Sequence, residues 1–124
     1  MARHQPQIVK EIRCADNCWQ LELCITPDLY WFQGHFAEAP ILPGVVQLNW
    51  ARQQAMRLWP EAHAWLAQAG AMESIKFQQV IRPGEQVLLE LTLDDARQRL
   101  TFSYVSADSA AGKKFASGRL VAVS

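Results

Sequence analysis

Trp31-Phe32-Gln33-Gly34-His35-Phe36, followed by Pro40-Ile41-Leu42-Pro43-Gly44-Val45-Val46-Gln47-Leu48-Asn49, is the stretch whose reading decides the fold. It passes from an aromatic run through a glycine turn into a segment bracketed by two prolines. Each proline disfavours helix for the residue before it. A helix therefore starts near Gly44. It runs through Val45, Leu48, Arg52, Ala55 and Trp59, and Pro60 stops it. Gln47, Asn49, Arg52, Gln53, Gln54 and Arg57 are scattered around it. Such a modestly polar helix suits a largely enclosed position, with its polar groups serving particular partners.

The flanks read as β structure. Trp19, Leu21, Leu23 and Ile25 alternate with Gln20, Glu22 and Cys24, the period of a half-buried strand. Before them lies a loose arm, with a first strand beginning at Ile8 and Val9. Thr26-Pro27-Asp28 ends the alternating strand with turn chemistry. After the helix, Glu61 to Ala69 form a second short helix that Gly70 ends. Ile75 to Ile81 read as a strand, and Arg82-Pro83-Gly84-Glu85 as a turn. Val87, Leu89, Leu91 and Leu93 alternate in the next strand, and Asp94-Asp95-Ala96-Arg97 turn the chain again. Leu100, Phe102 and Tyr104 alternate in the strand after that, and Asp108 to Gly112 make a loop. Lys114 to Val123 close the sheet, bent at Gly118. The expectation is a single α+β domain over residues 1–124, with an antiparallel sheet of five to six strands wrapped around one central helix.

Composition narrows the function. The 124 residues are 50% hydrophobic and 19% charged, an ordinary folded composition. Formal net charge is zero, which argues against a nucleic-acid binder. No apolar run approaches the roughly 18 residues that a membrane helix needs. Met1 to Glu11 are polar, without the apolar core of a signal peptide. Cys14, Cys18 and Cys24 are odd in number and match no zinc spacing. They read as reduced thiols of a cytoplasmic protein.

The quoted stretch resembles the hotdog-fold 3-hydroxyacyl-[acyl-carrier-protein] dehydratases. The resemblance rests on Gly34-His35-Phe36, Pro40 and Pro43-Gly44-Val45, then on Ile75-Lys76-Phe77 and Arg82-Pro83-Gly84-Glu85-Gln86-Val87. It covers residues 19 to 123. Leu29-Tyr30-Trp31-Phe32 and Gln47-Leu48-Asn49-Trp50 look closest to the dehydratase-like proteins of aryl-polyene pigment clusters. The resemblance implies a hotdog domain that dehydrates a 3-hydroxyacyl chain. It implies a partner, an acyl carrier protein with a phosphopantetheine-linked acyl chain. It also implies a homodimer with shared active sites. No metal and no cofactor are implied.

Dehydration removes a proton beside the thioester carbonyl and expels the 3-hydroxyl. It needs a base, a place for charge on the carbonyl oxygen and a proton for the leaving group. His35 suits the base, because imidazole exchanges a proton near neutral pH. A helix start presents N–H groups without partners inside the helix, and Gly44 lets an oxygen approach closely. The resemblance assigns the same carbonyl contact to Gly44. It places Phe36 and Val45 beside the substrate and makes Gln53 a support for the acid.

The family's acid position holds Asn49, and an amide cannot donate a proton at neutral pH. Losing general-acid help costs roughly 10²- to 10⁴-fold in rate. Four readings stay open. His35 could serve as base and then acid, Glu38 could substitute, the chain could be a catalytically impaired acyl-binding or partner subunit, or the asparagine could be a deliberate Asp→Asn change. A hotdog acyl thioesterase is the alternative enzyme.

Overall fold

The computed structural model describes residues 4–32, 41–108 and 112–122. Among the described residues ten elements follow one another. Strands β1 (Gln7–Ala15) and β2 (Cys18–Cys24) form a hairpin, followed by a 3-10 turn at Tyr30–Phe32. Helix α1 spans Gly44–Leu58, and a 3-10 turn at Pro60–Ala62 leads into α2 (His63–Ala67). Strands β3 (Ala71–Phe77), β4 (Gln86–Asp94), β5 (Arg99–Ser106) and β6 (Lys114–Val121) complete the chain. All strand pairings are antiparallel, in the order β1-β2-β4-β5-β6-β3. This six-stranded sheet around a central helix is the hotdog arrangement. No helix among the described residues is long and apolar enough to cross a membrane.

The alternating strands form where the period of two predicts them. Val87, Leu89, Leu91 and Leu93 turn inward from β4, as do Leu100, Phe102 and Tyr104 from β5 and Leu21 and Leu23 from β2. They meet Val46, Trp50, Ala51 and Ala55 of α1 in one core. At about 25 cal/mol per Å² of apolar surface, this shared burial is the main drive for the helix to seat.

Two local expectations change. β1 is far longer than the start at Ile8 and Val9 suggests. Its residues are mostly exposed, so no burial alternation marks it, and pairing with β2 supplies the ladder. β3 begins at Ala71 and stops at Phe77, whereas the sequence places a strand over Ile75 to Ile81. The N–H groups of Gln78 and Gln79 both turn to the Phe115 carbonyl (2.8 and 3.3 Å), which ends the ladder. Burial along α1 is uneven. Val45 is 64% exposed, while Gln47 and Gln54 are buried. Both glutamines keep bonds: Gln47 Nε2 donates to the buried Leu42 carbonyl (3.2 Å), and Gln54 Oε1 accepts from the exposed Arg57 one turn on (2.8 Å).

Gly118 acts through close approach. The β3–β6 register shifts between Glu73 and Lys76, where Ser74 takes φ 55°, and this bulge lies opposite Gly118. A Cβ at Gly118 would stand 2.3 Å from Ile75 Cδ1 and 3.1 Å from Ile75 Cα. Overpacking of this kind costs about 1–3 kcal/mol. Gly118→Val should lower the unfolding free energy from urea titration by that amount, and Ile75→Ala in the same chain should recover part of the loss.

Candidate active site

The start of α1 is fixed from three directions. Leu42 N–H donates to the Ile81 carbonyl (2.8 Å), which ties the entry segment to the start of the Arg82-Pro83-Gly84-Glu85 turn. That turn is tied in its own right: Gly84, at φ 87°, donates to the Ile25 carbonyl (2.6 Å), and Ile25 N–H donates to the Glu85 carbonyl (2.9 Å). Gln47 Nε2 then holds the Leu42 carbonyl, and the Tyr104 hydroxyl of β5 donates to the Gln47 carbonyl at 2.6 Å. The proline-bracketed segment therefore enters the helix in one orientation.

Pro43 precedes the helix in extended conformation, and no side chain caps the end. Val46 and Gln47 turn their N–H groups to the Pro43 carbonyl (3.1 and 3.2 Å). The amides at the very start have no partner inside the helix and carry its positive dipole end. Gly44 stands there at the edge of a groove of about 410 Å³, with Ile41, Leu42, Gln47, Phe77 and Val80 among its walls. The Phe77 ring lies so close that a Cβ at position 44 would be 2.7 Å from Cζ. Glycine is what lets an aromatic ring, or a carbonyl oxygen in its place, reach the backbone here.

Asn49 lies elsewhere on the same helix. Val45, Asn49 and Gln53 follow at intervals of four and share one exposed face. Asn49 Oδ1 accepts from Arg52 (3.0 Å), and Gln53 Oε1 accepts from Gln5 Nε2 of the N-terminal arm (2.8 Å). That arm is anchored beside them, its His4 carbonyl accepting from the indoles of Trp31 (2.9 Å) and Trp50 (3.1 Å). Trp50 and Phe32 are buried, as expected for core aromatics, and Trp31 is half-buried. His35, Phe36 and Glu38 lie outside the described residues. Three residues without a role in the sequence reading bear on the site: Tyr104, Phe77 and Gln47. Gln47 Oε1 is buried without a partner among the described residues. A polar side chain on the core face of α1 was the available signal for it.

The sequence profile of the ApeI-like family, described as ApeI dehydratase, matches residues 11–119. The chain belongs to this family. The 3-hydroxyacyl-[acyl-carrier-protein] dehydratase FabZ of Levilactobacillus brevis is 32% identical over 110 residues, which cover 86% of this chain and 68% of the relative. FabZ of Ligilactobacillus salivarius is 36% identical over 72 residues, covering 56% of this chain and 51% of the relative. The chain spans about half the length of several curated relatives it matches. Among solved structures, the dehydratase heterocomplex ApeI:P from Xenorhabdus doucetiae superposes with a TM-score of 0.82 at 30% identity, covering 94% of this chain and 96% of that one. The ApeI-like match and these relatives carry the hotdog dehydratase expectation.

Tyr104 gives a direct test of how the helix start is held. Complete burial pushes its hydroxyl pKa far above the ordinary tyrosine value. A folded pKa above the unfolded one adds stability that is complete below the unfolded value of about 10 and lost as pH rises beyond it. Tyr104→Phe should therefore cost about 0.5–1.5 kcal/mol at neutral pH. It should also flatten the alkaline fall of the urea midpoint between roughly pH 9 and pH 11.

Proposed function

We propose that this chain dehydrates a 3-hydroxyacyl thioester carried on an acyl carrier protein, giving the trans-2-enoyl thioester and water. The observation that carries the reading is the uncapped start of α1 at Gly44, opening on a largely apolar groove. A thioester carbonyl there accepts from the Gly44 N–H as negative charge builds on its oxygen. His35, in the Gly34-His35-Phe36 motif, takes the proton from the adjacent carbon. The carbon–oxygen bond to the 3-hydroxyl breaks, and the proton held by His35 passes to the departing oxygen. Asn49 orients that hydroxyl or a water by hydrogen bonding, and Gln53 supports it. Phe36 and Val45 border the acyl chain. The pathway we assign is fatty-acid or aryl-polyene-type biosynthesis in the cytoplasm.

The site is completed by a second hotdog chain. Ile41, Val45, Phe77 and Val80 are exposed apolar side chains around the helix start, and Met72 is exposed on the edge strand β3. Covering them removes apolar surface from water. A homodimer is the simplest assembly, and Val45→Arg should shift the sedimentation coefficient toward that of a monomer. An unchanged coefficient would place the interface elsewhere.

A second reading has its own support. Asn49 stands at the acid position, and the ApeI:P neighbour is a dehydratase heterocomplex. On that reading this chain is the acyl-binding partner of a competent subunit. The discriminating experiment compares the parent, Asn49→Asp and His35→Ala on a 3-hydroxyacyl-carrier substrate, following the enoyl-thioester absorbance. A dehydratase gives measurable turnover, a gain of roughly 10²-fold or more on restoring the acid, and none without His35. Silence from both the parent and Asn49→Asp would sink the dehydratase reading and favour the partner subunit.

A further inference from the structure

The β1–β2 hairpin carries a pair of thiols that the proposed chemistry does not use. Its register steps from Arg13 opposite Trp19 to Ala15 opposite Cys18. Cys14 is thus the extra residue of a bulge, and Cys14 and Ala15 together face Cys18. Directly opposed residues of antiparallel strands, here Ala15 and Cys18, have Cα atoms about 4.5–5.5 Å apart, and a bulge sets its extra residue against the same partner. That separation lies inside the window of about 4.4–6.8 Å that disulfides span.

The side chains agree with the backbone. The Cys14 thiol donates to the Ile12 carbonyl (3.9 Å), and after burial its proximity is one of the smaller causes that raise the Cys18 pKa. Thr92 Oγ1 donates to Cys18 Sγ from the adjoining strand at 3.9 Å. Cys14 is exposed and Cys18 half-buried, so an oxidant meets Cys14 first. Burial, which raises the Cys18 pKa, leaves that thiol the slower nucleophile. Cys24 sits at the far end of β2, opposite Gln7 and Gln86. Among the described residues no group of three or more metal-binding side chains exists, which disfavours a metal site here.

We infer that Cys14 and Cys18 are a redox modification site that closes reversibly to an intramolecular disulfide within the bulged hairpin. A low-molecular-weight disulfide such as oxidised glutathione is the oxidant. The Cys14 thiolate attacks one of its sulfurs and releases one glutathione thiolate. The Cys18 thiolate then attacks the Cys14 sulfur of the mixed disulfide and releases the second. Two protein thiols are oxidised, one glutathione disulfide is reduced to two thiols, and the protein thiol protons pass to solvent or the released thiolates.

The enclosed turn grips the rest of the fold. The Asp16 carbonyl accepts from the Trp59 indole just past α1 (3.1 Å) and from Arg13 (3.2 Å). The Asn17 carbonyl accepts from Leu93 N–H near the end of β4 (2.8 Å). Closing the ring restricts this turn in the unfolded chain and preserves the contacts that hold the C-terminal end of α1.

The test equilibrates the folded protein with reduced and oxidised glutathione, quenches with acid, alkylates free thiols and maps the products by mass spectrometry. The expected product is lighter than the reduced protein by about two hydrogen masses, retains no glutathione and is alkylated at Cys24 alone. Cys14→Ser and Cys18→Ser should not form the lighter species, and Cys24→Ser should. The oxidised parent should have a higher urea midpoint than Cys14→Ser in the same buffer. Persistent glutathione adducts without ring closure in the parent, a bond to Cys24, or a disulfide between two chains would each overturn the inference, as would an unchanged midpoint on oxidation.

Discussion

The hydrogen bond from the Tyr104 hydroxyl to the Gln47 carbonyl crosses from the sheet to the first turns of α1 at 2.6 Å. Hydrophobic burial draws the helix into the sheet but does not set where along its axis it stops, because burial is non-directional. A buried hydroxyl with one acceptor in reach does set it, since leaving that hydroxyl unpaired costs about 1–3 kcal/mol. With Gln47 fixed, its side chain holds Leu42, Leu42 holds Ile81, and the start of the helix meets Phe77 at the edge of the groove. The proposed carbonyl-binding point is thus a consequence of core packing.

The same helix serves two environments. Its inner face is core, and the face bearing Val45, Asn49 and Gln53 is open. Gly44 opens on the groove, and Asn49 stands on the open face. On the proposed reading, this separation is why a second chain matters: the groove of one subunit is completed by groups from the other. Exposed apolar side chains around the helix start fit that division better than they fit a surface meant for water.

Asn49 shows where motif and chemistry part. The family relation follows from the whole stretch and the strands after it, and the match over residues 11–119 bears it out. On the proposed reading His35 returns the proton to the leaving hydroxyl, because the side chain at position 49 cannot donate one. An amide and a carboxyl share shape and hydrogen-bonding reach but not acidity. Here the asparagine oxygen accepts from Arg52.

The sequence by itself determined the central helix start at Gly44, the alternating strands β2, β4 and β5, the turn at Pro83-Gly84 and the family. In each case the signal is local: a proline, a glycine or a period of two imposed by a buried face. Only the tertiary structure decided the two sheet edges, β1 and β3, whose exposed residues carry no alternation and whose limits are set by the strands they pair with. It also decided which face of α1 is buried, where Gln47 bonds to the Leu42 carbonyl and accepts Tyr104 on its own carbonyl. The roles of Tyr104, Phe77 and Gly118 belong to the same class. Each depends on an approach between residues distant along the chain, such as a hydroxyl 57 positions from its acceptor, and only the folded packing brings those atoms together.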